Sequence, residues 1–332
     1  HYPLRRQRQM CIRDRRNSVE DVYAKINNDL DEACILLSGI KVNDVNHYSE
    51  MVAWGLKARV ALTMQDYNNA AVYAGKSISL AEAGGHQLMT GSQLNCGFAN
   101  ITTDTKEAMY AAMTPDDKTV YFYSYYAYMS WNFNSSAIRQ GVKCINVDAY
   151  ETMSETDLRR AWWDPTGEAS VPSSSYAKNA YQNRKFTARS TADAVGDVAF
   201  MRLAEMYLTQ AEALARAGKD SEAQTVFTKF QITRDPSYVS KGNTGDALAE
   251  EIMNSRRVEL WGEGFRFYDL KRLHLSIKRG SNFDIAFCTF LEKDKDAQGW
   301  VWEIPKIETD FNSLCTCLLY TSPSPRDTER SR

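Results

Sequence analysis

From Phe200 to Ala215 apolar residues recur at helical spacing without a miss: Phe200, Leu203, Ala204, Tyr207, Leu208, Ala211, Leu214 and Ala215. Such an i, i+3, i+4, i+7 stripe is one face of an amphipathic helix, and that face has to be buried against something. Asp197 is placed to cap its start and Gly218 to end it, so a helix is expected from about 198. Ser221 then opens a partner helix carrying Ala223, Val226, Phe227 and Phe230, and Asp235-Pro236 stops it.

A similar pair lies earlier in the chain. Ser49 caps a helix over 50–65 with Val52, Ala53, Leu56, Val60, Thr63 and Met64 on one side. Gly55 inside it costs about 1 kcal/mol relative to Ala, which points to close approach of a neighbouring helix. After a turn at Gln65-Asp66-Tyr67, a helix over 68–81 carries Ala70, Ala71, Ala74, Ile78 and Ala81. Short connections make these pairs antiparallel hairpins. A further helix over 19–37, with Ser18 as N-cap and Asp21 three residues on, has the stripe Val22, Ile26, Leu30, Ala33 and Leu37.

Ala58–Ala70 and Ala211–Ala223 share small residues, a Leu, a polar turn and a following Ala. That is the style of a tetratricopeptide repeat, whose units bury their faces by stacking. Two copies so far apart are not a regular array. The expected fold is therefore mainly α: tetratricopeptide-like helical hairpins flanking an irregular, aromatic-rich insert over about 85–190, with little β. Gly84-Gly85, Gly91, Gly97, Pro115, Gly141, Pro165, Gly167 and Pro172 punctuate the insert, which is too aromatic for disorder. Beyond it, a helical element is expected over 246–275, capped by Asp246. Trp300, Trp302 and Ile304 alternate as in a short strand or extended segment.

Two end segments read differently. Met10–Arg15 and Cys317–Asp327 look like translated sequencing adaptors, so 1–16 and 315–332 are expected to be non-native and 17–314 the native body. Of 40 basic and 42 acidic residues the ends hold nine and three, leaving 31 and 39 in the body. An acidic body argues against nucleic acid, whose binding rests on Lys and Arg at phosphates. No apolar run reaches the roughly 18 residues of a membrane-spanning helix, and no signal-peptide core is seen.

Chemistry-bearing motifs are scarce. Cys34, Cys96, Cys144 and Cys288 are scattered, with no C-x-x-C, and read as small buried hydrophobes. No zinc-protease, P-loop or nucleophile-elbow pattern occurs. His47, His86 and His274 are isolated. Glu292, Asp294, Asp296, Gln298 and Glu303 faintly match a calcium loop, but Ala297 stands where Gly is needed, so a solvated acidic loop is preferred. No catalytic residue, metal ligand or cofactor is expected. The charged block Arg256, Arg257, Glu259, Glu263, Arg266, Asp269, Lys271 and Arg272 is either an anion site or an ion-pair network tying helices together, and the network is preferred.

Residues 121–133 hold eight aromatics in thirteen positions. Tyr and Trp offer flat apolar faces with a polar handle, suited to stacking on sugar rings. Strand packing is the alternative, in which about half of them serve the core whatever the function. The expected ligand-binding residues are Trp131 beside Asn132 and Asn134, with Tyr128, Trp162 and Trp163.

Three segments carry a family resemblance. Phe200–Leu214 resembles an R-L-A-E-x-Y-L-x-x-A-E-A helix, Arg256–Arg272 an R-R-x-E-L-x-x-E-G-x-R-x-x-D-L-K-R block, and Ile304–Glu308 a closing I-P-x-x-E. Together they are similar to the SusD/RagB nutrient-binding proteins of Bacteroidetes-type bacteria, over roughly 19–312. The resemblance implies a lipid-anchored protein at the outer-membrane surface that captures a glycan or other nutrient and passes it to a TonB-dependent, SusC-like transporter. It implies a binder rather than an enzyme. Its motif residues mark the fold, so no binding residue carries over. Signal peptide and lipidated Cys are not seen, which makes the chain read as an N-terminally truncated fragment that touches a membrane only through an anchor outside it. A helical-repeat protein-interaction module and an all-α glycan-processing enzyme are the alternatives.

Overall fold

The structure is a computed structural model and describes residues 17–115, 123–286 and 288–312. Both end segments, and Tyr121 and Phe122 of the aromatic run, lie outside the described residues. Asp29–Lys293 forms one compact unit, and 17–28 with 294–312 belong to another.

Helix α1 spans Val19–Leu36, and the Ser18 hydroxyl accepts the Asp21 N–H at 3.0 Å, as its capping role requires. Of its residues only Cys34 is buried; Val22 and Ile26 of the expected stripe are exposed. Helices α2 (Glu50–Thr63) and α3 (Tyr67–Ala83) form the first hairpin. Gln65 reverses the chain with φ 61°, and Asp66 caps α3 by accepting the Asn69 N–H at 3.3 Å. Ser49 has the extended N-cap backbone, but its hydroxyl makes no capping bond. A Cβ on Gly55 would lie 2.5 Å from Met201 Sδ and 3.2 Å from Met206 Sδ, so the expected close approach is real.

Strand β1 (Ala108–Ala112) pairs antiparallel with β2 (Val198–Arg202), with register shifts on either side of Tyr110. The expected helix from 198 therefore starts later. Helix α4 runs Leu203–Arg216. Val198–Met201 is apolar throughout, which suits a strand as well as a helix, and β1 offers a hydrogen-bonding edge, so this segment pairs as a strand before the helix begins. Asp197 does not cap the helix; it accepts from Arg189 Nη2 at 3.0 Å and the Thr114 N–H at 3.1 Å. Gly218 closes the helix at φ 75°, and α5 (Asp220–Gln231) returns, one residue ahead of the expected Ser221 cap. The element expected over 246–275 is two helices, α6 (Gly245–Glu259) and α7 (Arg266–Arg272). Gly262 and Gly264, at φ 80° and 89°, turn the chain between them.

Helix α2 packs on α3, α3 on α4, and α4 on both α5 and α6. The two hairpins, far apart in sequence, are thus neighbours, and α4 at their centre is buried nearly all round. Ala58, Ala70, Ala74, Ala211, Ala213 and Ala223 at these contacts let the axes approach. The region between the hairpins makes a second core around Phe98, Tyr126, Phe133, Trp162, Trp163 and Phe186. Strands among the described residues are short and form three two-stranded ladders. The fold is mainly α, with tetratricopeptide-like hairpins around an irregular aromatic insert. Residues 299–305 join no ladder; Pro305 is followed by a short helix, Lys306–Phe311.

Candidate functional site

A buried ion network fixes the ground on which the site stands. Arg234 Nη2 lies 2.8 Å from Glu107 Oε2 and 3.0 Å from Glu259 Oε1. Arg202, at the end of β2, reaches Glu259 Oε1 at 2.9 Å and Glu263 Oε1 at 2.7 Å, and it also pairs with Glu107. Burial alone would raise the Glu259 carboxyl; the guanidiniums of Arg234 and Arg202 overcome this and hold it well below its usual range. Asp269 bridges Arg256 at 3.1 Å and Arg272 at 2.8 Å, and Arg272 continues to Glu212 at 2.7 Å. Charges this deep are tolerable only when every one is matched. The network expected from the charged block is present for Arg256, Glu259, Glu263, Asp269 and Arg272.

These pairs clamp β2, α6 and the 260–265 turn, which together wall a cavity of about 600 Å³. Aromatic rings line much of it, Tyr125 and Phe186 from the insert, Phe200 from β2, Phe265 just before α7 and Tyr268 within it, beside the paired charges of Arg59, Glu263, Asp269 and Arg272. Gly262 is required here, because a Cβ would lie 2.7 Å from Phe186 Cε2 and 2.9 Å from Met129 Cε. The Tyr125 hydroxyl donates to Gly262 O at 3.1 Å, and its ring meets Phe186 edge-on with centroids 5.2 Å apart. Burial and then the Glu263 charge push the Tyr125 phenol well above its usual range, so it stays a neutral donor. Arg59 of α2 is chelated by Glu205, donates to Phe200 O, and lies over the Phe265 ring at 5.1 Å. Tyr268 is 64% exposed and Phe200 48%, so both rings stand at the mouth.

The chemistry on offer is recognition. The polar groups named above are committed to protein partners, while ring faces remain open at the rim. No His, Cys or Ser is among the described lining residues, and the lining carboxylates Asp197, Glu263 and Asp269 are tied to arginines. His86 lies elsewhere, 3.1 Å from Lys106 O, and burial pushes its pKa down.

The six residues expected to bind ligand divide in two, and none lines this cavity. Trp162 and Trp163 are 1% and 2% exposed. Trp162 Nε1 donates to Leu94 O at 2.6 Å, and the two indoles pack against Phe98, Tyr150 and Trp261. They fill the second core and present no ring face to a ligand, which corrects the expectation for both. Asn132 is also buried, its amide closing two bonds with Ala188, donating at 2.9 Å and accepting at 2.8 Å. Tyr128, Trp131 and Asn134 reach the surface, with Tyr128 47% exposed and Asn134 exposed. Trp131 is half-buried; its Nε1 donates to Thr187 at 2.9 Å and Arg184 lies over its ring at 4.2 Å. Tyr128 and Trp131 share only a crevice of about 10 Å³, the room of a single water.

The aromatic run is not a strand where it is described. Tyr125–Met129 is a short helix, capped by the Ser124 hydroxyl accepting the Ala127 N–H at 3.1 Å. Helical spacing sends Tyr126 inward and leaves Tyr128 outward, so the run splits by turn rather than by alternation. Tyr125 was in the suspect run and does line the cavity. Phe200, Phe265 and Tyr268 were missed because they sit inside segments that read as fold markers. Three aromatics in the six residues from Phe265 to Leu270 were the available signal.

A sequence profile described as the SusD family matches residues 47–326. SusD-like protein P38 of Formosa agariphila is 31% identical over 90 residues, 25% of this chain and 18% of that one. A SusD-like carbohydrate binding protein of Bacteroides vulgatus, of known structure, is 28% identical with a TM-score of 0.67, over 80% of this chain and 54% of that one. A SusD superfamily protein of Bacteroides thetaiotaomicron is 20% identical with a TM-score of 0.75, over 91% and 67%, and shares the fold. The chain thus spans between about half and two thirds of these solved relatives.

Proposed function

The chain belongs to the SusD family, and from that premise we propose that it is a surface glycan-binding protein. It captures an oligosaccharide and passes it to a TonB-dependent, SusC-like outer-membrane transporter. It works at the cell surface, held by a lipid anchor, and is not an enzyme. No described helix is long and apolar enough to cross a membrane.

The observation that carries the reading is the aromatic cavity with Tyr268 and Phe200 exposed at its mouth. Its volume of about 600 Å³ lies within the roughly 300–1,000 Å³ of small-ligand sites. Sugar rings present C–H faces that stack on such rings, and polar groups already satisfied by protein leave the stacking surface to set the fit. The test is calorimetric titration of the chain with a panel of oligosaccharides, in parallel with an assay for new reducing ends. Binding without cleavage is expected. Cleavage would make it an enzyme. No binding at millimolar glycan would leave the helical-repeat protein-interaction reading in its place. Co-purification of a SusC-like transporter with the membrane-anchored protein tests the delivery step.

A further inference from the structure

The charged block between Arg256 and Arg272 does not pair completely. Among the described residues, Arg257 and Arg266 have neither an ion-pair nor a hydrogen-bond partner, while Arg256 and Arg272 on the same helices are matched. Both unmatched guanidiniums are half-buried. They line a second cavity of about 390 Å³, which meets the first at Gly262 and Gly264. Arg279 is a third cation in its wall, lying 5.4 Å from the Phe283 ring and 5.2 Å from the Phe290 ring, with Nη1 3.1 Å from Cys288 Sγ. Trp261, Phe267 and Phe283 supply flat apolar surface. No Asp or Glu is among the described lining residues.

Three cations without a carboxylate is an unstable arrangement by itself. Burial and then the like charge of Arg257 push the Arg266 guanidinium down to about 10. Asp269 acts on Arg266 from a distance but is already bonded to Arg256 and Arg272. Asp148 acts likewise on Arg257 without reaching it. Asn146 is spoken for, accepting the Asp148 N–H at 2.8 Å and donating to Lys278 O at 3.0 Å. None of the described acidic residues lines this cavity. Such a lining suits an anion, because guanidinium forks match carboxylate and sulfate oxygens in pairs.

We propose that this cavity is a subsite for an acidic saccharide, its uronate carboxylate or sulfate ester held by Arg257, Arg266 and Arg279 and its ring resting on the Trp261–Phe267–Phe283 surface. The proposal rests on the glycan-binding reading and names the class of glycan. An anion there relieves the mutual repulsion of the cations, so ligand binding and stability are coupled.

The full chain is titrated with an oligogalacturonide and its methyl-esterified neutral form, with a sulfated galacto-oligosaccharide and its desulfated form, and with inorganic sulfate. The same titrations are run on the Arg257→Gln/Arg266→Gln variant. At least one acidic oligosaccharide is expected to bind ten-fold or more tightly than its neutral form, with that advantage lost in the variant and weakened by salt. The carboxylate and sulfate arms say which anion is read. The variant's melting temperature is expected to equal or exceed that of the parent, because a repulsion has been removed. Equal binding of acidic and neutral forms, or an advantage that survives in the variant, overturns the subsite while the glycan reading stands. Sulfate binding as tightly as the saccharide overturns the saccharide assignment. If no saccharide binds at all, the glycan reading itself falls, and the proposal with it.

Discussion

Lys185 Nζ lies 2.6 Å from Glu263 Oε1, an ion pair that ties the aromatic insert to the turn between α6 and α7. The ammonium also donates to Glu259 O at 2.7 Å and to Trp261 O at 3.0 Å, so it closes the end of α6 as well. Burial pushes Lys185 down to about 8, against the pull of Glu263. The pair therefore stays charged at neutral pH and fixes the backbone of 259–263, which carries Gly262, a residue common to both cavities.

Breaking that pair from the Lys side should be costly. Lys185→Met leaves Glu263 and Glu259 O with Arg202 alone and takes the ammonium donor from Trp261 O. A buried pair broken at one partner costs about 3–5 kcal/mol. Urea denaturation is expected to show a loss in that range. A loss under about 1 kcal/mol would mean that the turn is held by Arg202 without help.

Acid should undo the network in a defined window. The carboxyls of Glu259, Glu263 and Asp269 are held below their ordinary values, because flanking guanidiniums and Lys185 outweigh burial. A carboxylate with a lowered folded pKa contributes stability that is complete above its unfolded value and lost as pH falls below it. Melting temperature is expected to be level from pH 7 to about pH 5 and to fall steeply below about pH 4.5. Glu259→Gln lowers stability at pH 7, and its deficit should shrink as pH falls toward 3. A deficit that stays constant with pH would show that the Glu259 charge contributes nothing.

Gly55→Ala weighs propensity against packing. Ala gains about 1 kcal/mol in a helix interior. Its Cβ would press on Met201 Sδ at 2.5 Å and Met206 Sδ at 3.2 Å, and overpacking a core costs about 1–3 kcal/mol. A net loss near 1 kcal/mol is expected, recovered in part when Met201→Ala is added. Stabilisation by Gly55→Ala alone would show that the two thioethers move aside freely.

The helical layer was legible because its residues obey one local rule. Val52, Ala53, Ala74, Leu208 and Ala211 lie on stripes that only a helix can make continuous and are buried, although Thr63 and Met64 at the end of the α2 stripe are exposed. The start of α4 was misread because Val198–Met201 is apolar throughout and suits a helix and a buried strand alike. Choosing between them requires knowing that β1 lies alongside. The aromatic residues were harder. Trp162 and Tyr268 carry the same kind of stacking surface, yet one is 1% and the other 64% exposed, and no local pattern separates them. Burial there is decided by partners far away in sequence, Leu94 and Phe98 for Trp162. The ion network was foreseeable in its signs. Which two arginines it omits was not, since Arg256 and Arg257 are adjacent and only helix geometry points one inward.

Three alanine substitutions separate stacking platform from core. Trp162→Ala empties a fully buried site and should cost about 3–5 kcal/mol of stability. Tyr268→Ala removes an exposed ring and should change stability by no more than about 0.5 kcal/mol. Under the proposed function it weakens glycan binding by about ten-fold, or about 1.4 kcal/mol. Trp131→Ala loses the bond to Thr187 and the Arg184 contact, an expected loss of about 1–2 kcal/mol in stability, with glycan affinity held. Calorimetry for affinity and urea melts for stability read both quantities on each variant. If affinity falls with Trp131→Ala and holds with Tyr268→Ala, the platform is the surface of Tyr128, Trp131 and Asn134, and the cavity beside α7 is not the glycan site. The opposite split is expected, because Tyr268 and Phe200 stand open at the mouth of a cavity of about 600 Å³, whereas the Trp131 ring is half-buried with Arg184 over its face.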